Sequence, residues 1–194
     1  MNAPAPSESP KARRIVDAAR AILRDEGARG LSMRGVAVRL GISLSNVQYY
    51  FRARDDLLRA VVDDYLAQCL RAMEAATAEA DGMPLAERRE RLLRDALRHG
   101  HEMTEMCRIF RELWSLAAHD EPVEALLDAY YAGYAASLAT ALVGPEAPAT
   151  LRQRAVLLVL PFVEGYSVAG RTLEADQGAA VDLLVELLGT LDAV

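Results

Sequence analysis

Apolar residues in this chain return every three or four positions, and that spacing admits little besides helices. Ile15, Ala18, Ala19, Ile22 and Leu23 make the first such stripe. Nowhere do apolar and polar residues alternate over several β-branched positions, so strands are not expected. Prolines stand at positions 4, 6, 10, 84, 122, 145, 148 and 161, nearly all between the periodic segments. Nine helices follow. The first starts after Ser9-Pro10 and stops at Gly27 and Gly30. The second starts at the cap Ser32 and stops at Gly41; the third runs from Ser43 to about Tyr50. The fourth begins at the acidic pair Asp55-Asp56 and reaches about Ala80, its stripe being Leu58, Val62, Tyr65, Cys69 and Met73. The rest span roughly 85–99, 102–118, 122–142, 149–171 and 176–191, with a kink expected at Pro161. The fold class is all-α.

Composition narrows the setting. The 194 residues are 52% hydrophobic and 26% charged, enough for a real core and far from a disordered composition. Two cysteines, Cys69 and Cys107, with no CxxC, exclude a disulfide framework and suit a reducing compartment. The N-terminal ten residues carry no apolar signal segment. The longest uncharged stretch, Ala129 to Pro145, contains three Tyr, two Gly, Ser and Thr and falls short of a membrane span. A cytoplasmic location, without a membrane partner, is expected. The net charge of −6 hides an asymmetry. Residues 1–58 carry 10 Lys/Arg against 6 Asp/Glu, whereas residues 59–194 carry 12 against 22. A basic head on an acidic body points to a head that meets a polyanion.

The head contains the pattern that carries function. Residues 32–51 read SMRGVAVRLGISLSNVQYYF: two short helices around a glycine turn. Ala37 is small enough for the two helices to cross closely, and Gly41 tolerates the positive φ of a tight turn. Val36, Leu40, Ile42 and Val47 would form the small core that sets the crossing angle. The second helix then presents Leu44, Ser45, Gln48 and Tyr49 outward. Ser45 and Gln48 suit base edges; Tyr49 and Tyr50 suit thymine methyls and phosphates. Arg34, Arg39, Arg52 and Arg54 surround the motif as phosphate partners.

On these residues the chain resembles the DNA-binding domain of the TetR family of one-component regulators. The likeness covers about 50 residues: the Ile15/Ala18/Ala19 helix before Gly27, Leu31-Ser32, Val36-Ala37, Gly41-Ile42-Ser43, Val47-Gln48-Tyr49-Tyr50-Phe51 and Arg54-Asp55-Asp56-Leu57-Leu58. Arg54 stands where the family usually has Lys, which keeps the charge. Gln48 stands at a variable position, which leaves the base preference open. A disordered tail is expected at the Pro/Ser/Ala-rich residues 1–10, and the resemblance implies a helix-turn-helix domain at 11–56 and a ligand-binding and dimerisation domain at 57–194. It implies DNA contacts at Ser32, Arg34, Leu44, Ser45, Gln48, Tyr49, Tyr50 and Arg54, and Ser43 and Arg52 complete that set. It also implies a homodimer on a pseudo-palindromic operator, a ligand pocket within helices 5 to 8 and a dimer interface from helices 8 and 9.

The body offers candidates for both roles. Met103, Met106, Phe110, Trp114, Tyr130, Tyr134, Phe162 and Tyr166 concentrate on helices 6, 7 and 8 as core or as the wall of a pocket for an apolar or amphipathic molecule. On helix 9, Val181, Leu184, Val185 and Leu188 form one stripe (with Leu191), and Leu183 with Leu187 form another. The first stripe, with Gly165 and Ala169 of helix 8 allowing close approach, is the expected dimer interface. Glu164 sits in an apolar run and needs a partner: a cationic ligand, Arg171 or a neighbouring subunit. Arg108–Glu112 is expected as an i,i+4 ion pair. His99, His101 and Cys107 fit none of the usual zinc spacings, and no nucleophile–base pattern appears. No metal, cofactor or catalytic residue is therefore expected. The sequence reads as a dimeric regulator, a repressor released by a small molecule. A ligand-independent repressor, and more remotely a carrier or enzyme on a helical bundle, are the alternatives.

Overall fold

The computed structural model describes residues 9–102, 105–170, 172 and 176–192, and every regular element among them is a helix. The nine are α1 (Pro10–Gly30), α2 (Met33–Leu40), α3 (Leu44–Tyr50), α4 (Arg54–Glu79), α5 (Leu85–His101), α6 (Glu105–Ala117), α7 (Glu121–Val143), α8 (Ala149–Ala169) and α9 (Gln177–Asp192). All-α is thus the architecture of the described chain. None of these helices is long and apolar enough to cross a membrane.

The chain divides into two compact units, residues 1–68 with 108–129 and residues 69–107 with 130–194. In the first, the Ser9 hydroxyl accepts from the Ala12 N–H at 3.1 Å, and Pro10 opens α1. The expected stripe of α1 is buried throughout: Ile15, Ala18, Ala19, Ile22 and Leu23. Gly27, at φ 70° and ψ −179°, breaks α1 before its last turn. Val36, Val47, Leu57, Val61 and Val62 are fully buried. Leu40 and Ile42, expected in the same small core, are only half-buried.

In the second unit α5 packs against α8 and α9. Leu93 and Leu97 of α5, Leu138 and Leu142 of α7, Val159 of α8 and Val181, Leu184 and Leu188 of α9 form its buried core. Arg89 lies inside, 4% exposed. Its Nε donates to the Leu142 carbonyl at 2.7 Å, and its two terminal nitrogens donate to the Asp192 carboxylate at 2.6 and 2.8 Å. The bidentate guanidinium beside Asp192 holds that carboxyl below its ordinary range. One buried cation thus ties α5 to the C-terminal ends of α7 and α9. Pro161 lies inside the continuous α8.

Candidate nucleic-acid interface and effector site

The glycine turn forms as its residues dictate. Gly41 adopts the left-handed conformation, φ 66° and ψ 32°. The Ile42 N–H reaches back to the Ala37 carbonyl at 3.0 Å, the six-to-one bond that closes a helix on such a residue. Ser32 caps α2 by accepting from the Gly35 N–H at 3.0 Å, and Ser43 caps α3 by accepting from the Asn46 N–H at 3.3 Å. Both serines, expected at DNA, therefore also fix the helix starts. Val47 anchors α3 from below, fully buried. Ser45, Gln48 and Tyr49 are exposed, Tyr49 by 76%. Leu44 and Tyr50 are half-buried, and the Tyr50 ring meets Tyr49 edge-on at 5.0 Å. A short, well-capped helix carrying two hydrogen-bonding side chains and an aromatic ring on its free face can read base edges in a major groove.

The surrounding cations separate into two groups. Arg34 and Arg52 are exposed and, among the described residues, make no ion pair. Arg39 instead pairs with Asp25 at 3.2 Å. Arg54 is turned inward: its Nε donates to the Leu31 carbonyl at 2.9 Å, a terminal nitrogen donates to the Ala28 carbonyl, and the other meets Asp55 at 3.4 Å. Arg54, expected at a phosphate, thus also clamps the α1–α2 joint. Lys11 and Arg14 of α1, which sequence reasoning left unassigned, line a small depression of about 90 Å³ with Asn46 and Tyr50 of α3. The basic run Lys11–Arg14 was the available signal, but only packing brings it beside the third helix.

The same joint is held from the other side. Past Gly27 the chain restarts as a short helical turn whose first N–H groups lack helical acceptors. The Glu112 carboxylate of α6 accepts from the Ala28 N–H at 2.9 Å. Glu112 is thus a cap supplied from 84 residues away, which corrects the expected pairing with Arg108.

The aromatic candidates divide between the units. In the first, Phe110 is buried and Trp114 half-buried; the Phe110 ring lies 6.1 Å from Tyr65 and 6.5 Å from Trp114. In the second, Tyr130 and Tyr134 stack at 5.8 Å, Tyr130 meets Tyr131 edge-on at 5.3 Å, and Phe162 stacks on Tyr166 at 6.2 Å. Met106 is half-buried. Met103, Arg171 and the side chains of His99 and His101 lie outside the described residues. The Tyr131 hydroxyl lies beside the Glu164 carboxylate. Burial raises the Glu164 carboxyl to about 7, against which the Tyr131 bond pulls only partly. Burial likewise pushes the Tyr130 and Tyr134 hydroxyls far above the usual phenol range, so both rings stay neutral. No group of three or more potential metal ligands occurs among the described residues.

Helices α8 and α9 correct the expected dimer stripe. Val181, Leu184 and Leu188 are fully buried within this chain, against α5 and α8, and Val185 packs on the same core. The three fully buried side chains cannot also face a second subunit, whereas Val185 keeps some exposure. The outward rows are Leu157, Gly165 and Val168 on α8 and Leu183 and Leu187 on α9, where Leu157 is 65% and Leu183 48% exposed. A side chain at Gly165 would meet nothing within 4 Å, and Ala169 is half-buried.

Comparison with known proteins agrees with the motif. Residues 15–61 match the pattern of the bacterial regulatory proteins of the tetR family. An uncharacterized HTH-type transcriptional regulator in the dhlA 5′ region of Xanthobacter autotrophicus is 43% identical over 161 residues, 83% of this chain and 80% of that protein. The fold is similar to a transcriptional regulator from Rhodococcus sp. Rha1, with TM-score 0.70, 18% identity and 91% and 94% of the two chains covered. It is also similar to the multidrug binding protein EbrR complexed with ethidium, with TM-score 0.66, 21% identity and 95% and 99% covered. With a helix-turn-helix built on Ala37, Gly41 and Val47, and a relative this similar over most of its length, the chain belongs to the TetR family of DNA-binding transcriptional regulators.

Proposed function

We propose that the protein is a homodimeric repressor that leaves a pseudo-palindromic operator when a small apolar or amphipathic molecule binds its body. Residues 11–56 act as the DNA-binding domain and residues 57–194 as the sensing and dimerising part. The observation that carries the reading is the free face of α3: Ser45, Gln48 and Tyr49 exposed on a helix capped by Ser43, flanked by Arg34 and Arg52 without ion partners among the described residues. The recognition set is Leu44, Ser45, Gln48, Tyr49 and Tyr50. Ser32, Arg34 and Arg52 contact phosphate, with Lys11 and Arg14 added from α1. Dimerisation through Leu157, Val168, Leu183 and Leu187 is supported by their exposure on α8 and α9, since exposed apolar rows on two neighbouring helices suit an isologous contact. Sensing is supported by the fold shared with a multidrug binding protein complexed with ethidium and by the tyrosine, phenylalanine and methionine content of α6 to α8.

The mechanism is a population shift. A ligand that prefers one spacing of the two recognition helices by about 100-fold moves operator occupancy by about 2.7 kcal/mol. Three helices, α4, α6 and α7, each contribute residues to both compact units, so an ordering event in one is continuous in backbone with the other.

The test is fluorescence anisotropy on the DNA preceding the protein's own gene, with a salt series. Arg34 and Arg52 in two protomers give about four phosphate contacts and a slope of log K against log salt near −4; Lys11 and Arg14 would steepen it to about −7. Gln48→Ala should relax preference at one base position by roughly 1–3 kcal/mol. A flat salt response, or equal losses on every sequence, would sink the assignment.

A further inference from the structure

We infer that the groove lined by the end of α4, the first turns of α5 and α8 and the last turns of α7 binds a small zwitterion. Its occupant is an amino-carboxylate, with the carboxylate on Arg88 and Arg152 and the ammonium on Glu74 and Asp81. The inference goes beyond the proposed regulator and does not depend on it, for none of the aromatic candidates lines this groove.

The groove has a volume of about 500 Å³ and lies wholly within the second compact unit. That is room for a small organic molecule. Its charges are sorted by helix. Both acids, Glu74 and Asp81, belong to α4 and the turn that follows it, and both cations, Arg88 and Arg152, stand in the first turns of α5 and α8. The peptide dipoles reinforce this division, since they leave the end of α4 negative and the starts of α5 and α8 positive. Yet the opposite charges do not meet: among the described residues, no ion pair involves any of the four. The terminal nitrogens of Arg152 donate to the Pro145 carbonyl at 3.0 Å and the Thr140 hydroxyl at 3.1 Å, which hold the guanidinium in place without neutralising it. The Arg88 Nε is closed to water and has no acceptor. Nothing rewards the guanidinium for staying where it is, and a carboxylate drawing it into the groove would supply the missing bond through the planar fork. On the acidic side, Asp81 accepts from the Gly82 N–H with one oxygen at 3.1 Å, and Glu74 is exposed and makes no hydrogen bond among the described residues. The acids and cations of the lining balance, so a simple anion meets repulsion from α4 and a simple cation meets it from Arg88 and Arg152. An apolar molecule would strip water from four charges and from the Ser137 and Thr140 hydroxyls without replacing it. A zwitterion satisfies both sides at once.

The test is calorimetric titration of the full chain with β-alanine, γ-aminobutyrate and ε-aminocaproate, three spans of one chemistry, and with butyrate and butylamine, which carry a single charge each. At least one of the zwitterions should bind about 10-fold more tightly than both single-charge ions. Arg88→Gln and Glu74→Gln should each lose about 10-fold of that affinity. Arg98→Gln, on the same helix but outside the groove, should change it by less than about 2-fold. Circular dichroism and melting check each fold. Glu74 is exposed and unbonded among the described residues, so its variant reads the site even where Arg88→Gln unfolds. No zwitterion bound by about 10 mM, or butyrate or butylamine bound as tightly as the best zwitterion, overturns the inference. So does an unchanged affinity in a folded Glu74→Gln or Arg88→Gln protein, or an equal loss in Arg98→Gln.

Discussion

Glu112→Ala should destabilise the DNA-binding unit by about 2 kcal/mol, although Glu112 stands far from it in sequence. Gly27 leaves the helical conformation at φ 70°, so the Ala28 N–H begins a new helical turn without an acceptor from the preceding one. Ala28 is 7% exposed, so water cannot replace the carboxylate that accepts from it at 2.9 Å. A hydrogen bond to a charged group contributes about 1.5–3 kcal/mol, and an abandoned buried N–H costs about 1–3 kcal/mol. Losing a helix cap costs about 0.5–2 kcal/mol. These describe one event by different routes, and they converge near 2 kcal/mol. Glu112→Gln keeps an acceptor oxygen and loses the charge, so it should retain about half of the stability. Urea unfolding measures the first number. Hydrogen exchange at the Ala28 amide measures the second, and protection should fall by about 30-fold in Glu112→Ala. Arg54 holds the Ala28 and Leu31 carbonyls of the same joint, so a double-mutant cycle with Arg54→Ala should show a coupling above about 0.5 kcal/mol. A Glu112→Ala protein within about 0.3 kcal/mol of wild type, with unchanged exchange at Ala28, would refute the cap.

Four further outcomes follow from particular side chains. Arg52→Ala should weaken DNA binding and leave the melting temperature unchanged, whereas Arg54→Ala should lower the melting temperature by several degrees because two backbone carbonyls lose their donor. Leu187→Glu should give a folded monomer by sedimentation, while Leu184→Glu should fail to fold, because a fully buried side chain has no room or partner for a carboxylate. Asp192→Asn should cost roughly 1.5–3 kcal/mol by removing the charge that faces buried Arg89. The Asp192 carboxyl is depressed in the folded chain, so its contribution is present above the unfolded value of 3.8 and is lost as pH falls through the lower folded value; acid melts of wild type and Asp192→Asn should converge there. Glu164 has the opposite sign. Raised from 4.5 to about 7, it favours the folded chain below pH 4.5 and gives that stability up as pH rises through 7. Wild type should therefore lose more melting temperature between pH 5 and pH 8 than Glu164→Gln.

Local chemistry alone determined much of this protein. The glycine at 41 and the caps at Ser9, Ser32 and Ser43 each act on atoms within six residues, so the helix-turn-helix and the outward face of α3 were legible from order along the chain. The helical periods were legible for the same reason, because a stripe such as Ile15 to Leu23 needs only the pitch of its own helix. Periodicity reports that a face is buried and does not say against what. Hence the richer stripe of α9, Val181, Leu184 and Leu188, read as a subunit interface and proved to be the chain's own core, leaving Leu183 and Leu187 outside. Long-range partners were equally invisible. Glu112 with Ala28, Arg54 with two carbonyls, and Arg89 with Asp192 across 103 positions depend on which helices meet, and any nearby residue of opposite charge looked as good in sequence. Glu164 was conspicuous as a carboxylate among apolar neighbours, yet only packing decided how far it is buried. A charge can be seen in a sequence, but its desolvation is a property of the space around it.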